Sequence, residues 1–284
     1  MKINEEQINS QKNRQLYEEY YGKVDIDGII NNLNNFDKFF NNAKITHTSW
    51  VGFYRNDFDK DLKGKRVLEL GCGDCENAAI MSYLGAEVYA LDIAQASGAI
   101  IEKLNQNYDF EKPLQFIFGD FLEADIPEDF FDYVVGKAFV HHLTPEQEIL
   151  YTEKIVSILK KDGVVRYFEP AVNSKFLDKI RFLIPLRDRP SSLQKKKFKA
   201  WKESDPHPER DNSSASYRKI GEKYFVETRI YCIGSIEKFH RLFPRGVNTK
   251  RFRQLAYRIE AKLPRFFQDA FARSQTVEYR IPKK

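Results

Sequence analysis

Two glycines and three acids in the first half of the chain stand at spacings that suit a nucleotide ligand. Glu69-Leu-Gly71-Cys-Gly73 closes a short apolar run and opens a helical stretch, so the turn falls where a strand hands over to a helix and backbone can approach a ligand closely. A dinucleotide fingerprint would continue with a small residue at position 76; Glu76 would instead set a carboxylate beside a pyrophosphate. An acid two residues ahead of the first glycine suits an ammonium group, which Glu69 can hold directly or through water. Asp92 lies nineteen residues beyond Gly73, near the separation of about 20 expected for an acid that accepts ribose hydroxyls. Asp120, in FGDF, stands where a carboxylate could accept an adenine amine, with Phe121 stacked nearby. Taken singly, each acid is more commonly a helix cap or an exposed loop residue; the order of all four features is what makes them specific.

A second group of residues could move protons. His141-His142 follows KAFV, His207 lies in SDPHP, and Glu169 closes VVRYFEP. Imidazole, with an ordinary pKa near about 6.5, suits a general base at neutral pH. The structural reading of the pair is one ring packed under the next helix and the other bonded to a loop; for His207, between prolines, a loop-fixing hydrogen bond competes with catalysis. Cys72 and Cys75 form a C-x-x-C, but with no second pair neither zinc nor thiol redox chemistry is supported, and no metal is expected.

These residues need a frame that brings strand ends together. RVLEL, VYALDI, LQFIFGDF, FDYVVGKA and VVRYFEP alternate with helical stretches, which predicts a doubly wound α/β, Rossmann-like fold with a mostly parallel seven-stranded sheet. Residues 1–60, with Tyr17, Tyr20, Tyr21, Trp50, Phe53 and Tyr54, read as N-terminal helices covering the site, and 61–170 as the ligand-binding core. Residues 171–223, with four prolines and the run QKKKFKAWK, read as a helical insertion or lid on the acceptor side. Residues 224–284 complete the sheet, with a helix around 251–267 and TVEYRIP (276–282) as an edge strand. Phe176, Ile180, Leu183 and Ile184 share one helical face; a membrane-dipping stripe is conceivable, but core is the expectation.

VLELGCGDC, VYALDIA, FGDF, FDYVVGKAFVHHL and VVRYFEP, in that order, resemble the Rossmann-like class I S-adenosylmethionine-dependent methyltransferases. EPAVNSKFLDKIRFLIP, SDPHPERD, KLPRFF and TVEYRIPK extend the resemblance, more loosely, to a bacterial small-molecule subgroup. The resemblance implies S-adenosylmethionine as cofactor, with Glu69, Gly71 and Gly73 at its methionine part, Asp92 at the ribose, and Asp120 with Phe121 at the adenine. Cys72, Ile93 and Lys137 are counted with them as cofactor contacts. Two departures stand out: Cys75 occupies the place of a usual third glycine, and Lys160-Lys-Asp-Gly163 replaces a Lys-Pro-Gly-Gly turn.

On that reading the catalytic candidates are His142, with His207 and Glu169 in reserve, and an oxygen or carbon acceptor is favoured over nitrogen. The fourth strand ends in GKAF, not the Asn/Asp-Pro-Pro-aromatic of nucleobase and glutamine amine methylation, and no Pro-Cys nucleophile for cytosine carbon exists. Charge bears on the acceptor. The net +5 is uneven: residues 179–202 carry nine Lys/Arg against Asp188 alone, and 241–284 carry twelve against Glu260, Asp269 and Glu278, so the remainder is acidic. A basic half predicts an anionic or amphipathic small acceptor; nucleic acid and a membrane surface are the lesser partners. An RNA methyltransferase and a catalytically silent binding protein on the same fold stay open beside it. With 284 residues, 42% of them hydrophobic, only three cysteines and no apolar run of about 18–20, a soluble or peripheral cytoplasmic protein is expected. Acceptor identity and oligomeric state are left open.

Overall fold

The computed structural model describes residues 17–186, 189–204, 207–242 and 247–284. Short apolar runs become strands: β1 (Arg66–Leu70), β2 (Glu87–Asp92), β4 (Phe131–Lys137) and most of β5 (Leu159–Pro170) are largely buried on both sides, while β3 (Gln115–Phe118) lies half-exposed at one edge of the sheet. β6 (Phe225–Ile233) and β7 (Ser274–Pro282) follow. The seven strands lie in the order β3-β2-β1-β4-β5-β7-β6. β1 to β5 run parallel, and β7 lies antiparallel to both β5 and β6. TVEYRIP is therefore an interior strand and β6 is the edge. The inner residues of β7 are almost wholly buried, and a strand with no wet face belongs between two others.

Helices cover both faces. α1 (Ile26–Asn34), α2 (Phe36–Thr46) and α3 (Thr48–Phe53) precede β1; α4 (Glu76–Tyr83) and α5 (Gln95–Asn107) flank β2; α6 (Pro145–Ile158) joins β4 to β5. Between β5 and β6 come α7 (Lys175–Leu183), α8 (Lys195–Glu203) and α9 (Ser214–Tyr224), and α10 (Val247–Glu260) and α11 (Arg265–Ala270) lead into β7. The helix expected around 251–267 is thus two, divided by Pro264, which cannot continue a helix. α6 starts with Thr144 and Gln147 in a reciprocal capping box and Pro145 in its first turn. One core joins α1–α3 to α4, α5 and one sheet face; a second joins α6 and α9 to the other.

Arg166 ties the N-terminal helices to the sheet. Its guanidinium is buried, donates to the carbonyls of Phe53 (2.8 Å) and Arg55 (2.7 Å), and pairs with Glu278 across β5 and β7. The apolar stripe of α7 is not core: Phe176 is 71% exposed, and Ile180, Leu183 and Ile184 are also exposed. The loop after α7 binds its C-terminal end, through Arg189 to the carbonyls of Arg181 and Ile184 and Ser191 to that of Leu183. Among the described residues no helix is long and apolar enough to cross a membrane.

Candidate active site

β1 and β4 are neighbours, yet the chain leaves β1 for β2 on its other side, so the sheet parts at the C-terminal ends of these strands and opens a crevice. A cleft of about 370 Å³ occupies it. Glu69, Gly71, Cys72, Gly73, Asp92, Ile93, Asp120, Lys137, His142 and His207 all line it. Phe121 and Glu169 do not.

The glycine turn needs its glycines. Gly71 and Gly73 both adopt positive φ, and a Cβ on Gly71 would run into the ring of Phe139, while one on Gly73 would lie 2.8 Å from the Tyr21 hydroxyl. Cys75 also adopts a left-handed φ of 59° at the start of α4, which accounts for glycine being usual there. Its Sγ lies 3.7 Å from that of Cys72; both thiols are buried, and burial pushes Cys72 well up from the ordinary thiol range.

Glu69 is 1% exposed. Asn77, on the first turn of α4, donates to its Oε1 at 2.6 Å, but Oε2 is buried with no hydrogen-bond partner. Burial raises this carboxyl to about 8, against the bond from Asn77 and the nearby charge of Lys137. A buried carboxylate oxygen without a partner, on a residue that lines a cleft, is a place for a cation that can donate hydrogen bonds. Asp92 is held from below, with Gly73 N–H donating to Oδ2 and Ala94 N–H to Oδ1, both at 2.9 Å. Burial raises its pKa, and these backbone bonds oppose the rise. Asp120 Oδ1 accepts from Leu122 N–H (2.9 Å) and the Tyr151 hydroxyl (3.0 Å). Phe121, expected beside a base, turns the other way: its ring is wholly buried among α6 residues, 5.0 Å from that of Tyr151, because a benzyl group gains more there than at the cleft wall. Tyr151 and Ile93 line the cleft where Phe121 was expected.

The opposite wall carries the histidines. Glu169, at the end of β5, is fully buried and accepts from the backbone N–H groups of Phe139 (2.9 Å) and Val140 (2.7 Å). It also pairs with His141 Nδ1 at 2.7 Å. It therefore fastens the turn Val140–His142 and faces no ligand. Arg210 grips the same turn from the far side, donating to the carbonyls of Val140 (2.6 Å) and Leu143 (3.0 Å) and to Glu148 on α6 (2.6 Å). That anchor brings His207, three residues earlier, over the pair: its ring centroid is 4.8 Å from His141 and 4.3 Å from His142. Tyr17, helical with Tyr20 and Tyr21, reaches across the cleft to put its hydroxyl 3.4 Å from His142 Nε2. Burial, and then the like charges of His141 and His207, push His142 down to about 2.

Sequence reasoning missed Asn77, Tyr151 and Arg210. Arg210 sits inside the noted SDPHPERD; Asn77 and Tyr151 lie on helices whose pattern marks them only as inward-facing. The residues fit S-adenosylmethionine: an orphaned buried carboxylate oxygen suits its ammonium, an acid at the end of β2 its ribose, and an acid at the end of β3 its adenine amine.

Comparison with known proteins agrees. Residues 67–163 match the family described as methyltransferase domain. The chain is 32% identical over 130 residues to the cypemycin N-terminal methyltransferase of a Streptomyces species, covering 46% of each. It is 26% identical over 142 residues to the sterol 24-C-methyltransferase of Pneumocystis carinii, covering 49% of this chain and 36% of that one. The chain thus spans less than half the length of either relative. Phosphoethanolamine N-methyltransferase 2 of Haemonchus contortus, solved with phosphomonomethylethanolamine and S-adenosylhomocysteine, superposes with a TM-score of 0.52 at 15% identity, covering 92% of this chain and 61% of that one. A SAM-dependent methyltransferase of Archaeoglobus fulgidus gives 0.50 at 19% identity, covering 77% and 87%. At these identities the structural likeness is one of fold. The chain accordingly has a Rossmann-like fold of the methyltransferase type, and its residues 67–163 match the methyltransferase-domain family.

Proposed function

We propose that this chain transfers a methyl group from S-adenosylmethionine to a small or amphipathic, anionic acceptor, at oxygen or carbon. One observation carries the reading: Glu69, whose buried Oε2 has no partner, and the histidine wall line the same cleft. S-adenosylmethionine supplies an electrophilic methyl group on sulfur. Glu69, Asp92 and Asp120 would hold its polar groups, leaving the wall of Tyr17, His141, His142 and His207 to meet the acceptor. The chain's task is then to align the acceptor and accept its proton. His142 stands in the middle of that wall, beside the Tyr17 hydroxyl, and is the proposed proton acceptor. His207, the exposed ring of the three, is its neighbour toward solvent, and Glu169 acts through His141 as a positioning residue. The names of the relatives span an N-terminal amine and a sterol carbon, so the wall rather than the kinship favours an acceptor that must lose a proton. Tyr20, Tyr21, Phe139 and Leu143 give the cleft an apolar lining suited to an amphipathic molecule.

Titration calorimetry with S-adenosylhomocysteine tests the cofactor half: saturable binding that Asp92→Ala abolishes is expected, and binding of NAD in its place would overturn it. For the acceptor half, a screen that monitors S-adenosylhomocysteine release identifies a substrate. His142→Ala should then lower turnover at least tenfold, a typical low end for a lost base being about 10²-fold, with cofactor affinity held within a few-fold.

A further inference from the structure

The His141, His142 and His207 cluster has a composition of its own: three imidazoles and no carboxylate among the converging atoms. One nitrogen from each lies within 4.8 Å of the other two. They come from two segments some sixty-five residues apart, each deliberately held. Glu169 fixes His141 through Nδ1, which leaves Nε2 as the nitrogen it offers. Glu169 is itself locked by two backbone N–H groups, so that imidazole cannot swing freely. Arg210 binds the loop of His207 to the carbonyls flanking the His141-His142 turn.

The three ring centroids stand 4.3 to 4.8 Å apart, and imidazole nitrogens converging in this way are common metal ligands.

We infer that His141, His142 and His207 bind a single divalent transition-metal ion of the zinc class, with an open coordination position toward the cleft that an anionic oxygen of the acceptor fills. This rests on reading that wall as the acceptor side, assigns His142 to the ion in place of proton transfer, and departs from the sequence's expectation of no metal. Three histidines with one open position are a recurrent arrangement for a catalytic ion, and a carboxylate behind a ligating ring is its usual support. The all-nitrogen set disfavours magnesium and calcium, which prefer oxygen. Nitrogens around one ion, at about 2.0–2.1 Å each, stand about 3.3 Å apart. His207, the exposed ring of the three, is the one that would move to close the remaining distance.

The test uses the full chain without an affinity tag, stripped with chelator and titrated with Zn²⁺ and Co²⁺. One ion per chain by calorimetry and elemental analysis is expected, with visible Co²⁺ bands of nitrogen ligation and no thiolate charge-transfer band. His207→Ala and His142→Gln should each weaken Zn²⁺ binding at least tenfold, with circular dichroism and S-adenosylhomocysteine affinity preserved, whereas a Cys72→Ser, Cys75→Ser double variant should bind Zn²⁺ as before. Absence of binding at micromolar Zn²⁺, or binding that survives His207→Ala, overturns the site. Because S-adenosylhomocysteine binding is read separately, failure of the methyltransferase reading and failure of the metal site give different results.

Discussion

Glu69 carries the sharpest consequence at the scale of single residues. Its carboxyl is raised to about 8 by burial, so the folded protein holds a proton there that the unfolded chain releases above about 4.5. The sign follows: between those two values the ligand-free protein loses stability as pH rises, because folding must keep a proton the solution is taking away. An ammonium group at Oε2 reverses the preference and expels that proton. Binding of S-adenosylhomocysteine at pH 7 should therefore release close to one proton per chain, measured by calorimetry in buffers of different ionisation enthalpy. The release should fade by about pH 9, where Glu69 is already ionised, and vanish in Glu69→Gln along with much of the affinity. Release that persists in Glu69→Gln would place the titrating group elsewhere. That Glu69 lines the cleft was legible from its position ahead of Gly71. Its orphaned oxygen was not, since Asn77 satisfies only Oε1 and that is a fact of how α4 packs on β1.

Among the elements, the N-terminal helices and the last strands meet at Arg166. The side chain spans from β5 to the end of α3 and the residues after it, and its charge is met by Glu278 on β7. Removing one member of a buried pair strands the other, at a typical cost of about 3–5 kcal/mol. Glu278 keeps Arg280 as a second cation, so the lower end applies. Arg166→Leu is expected to destabilise the chain by about 3 kcal/mol in urea unfolding. It should also loosen the Tyr17–Tyr21 cover indirectly, seen as weaker S-adenosylhomocysteine binding; a loss below about 1 kcal/mol would mean the pair is no stronger than a surface bridge. At this scale the parallel core was readable from strand–helix alternation, but the place of β7 was not. A short alternating run reads as an edge strand when its partners cannot be seen, and only pairing with both β5 and β6 buries its second face.

Over the whole molecule, charge and exposed apolar groups fall on the same insertion. Lys195, Lys196 and Lys197 open the solvent-exposed α8, and α7 beside it in sequence exposes Phe176, Ile180, Leu183 and Ile184. Such a surface attracts anions over roughly a Debye length, about 10 Å at 0.1 M salt. Binding to vesicles rich in anionic lipid is expected at low salt, falling steeply as salt rises and several-fold weaker when the three lysines are changed to Gln. Equal binding to neutral vesicles, or none at low salt, would leave these lysines a solvated face. The amino-acid sequence by itself determined the Rossmann-like sheet, the glycine turn and the acids at the ends of β1, β2 and β3, because each follows from neighbours within one strand–turn–helix unit, where local periodicity governs the geometry. Tertiary structure alone decided that Phe121 leaves the cleft for the core, that Glu169 fastens a turn, and that His207 joins His141 and His142 under the grip of Arg210. Those outcomes depend on segments far apart in sequence competing for the same volume and the same hydrogen-bonding groups, and residue spacing along the chain carries no record of that competition.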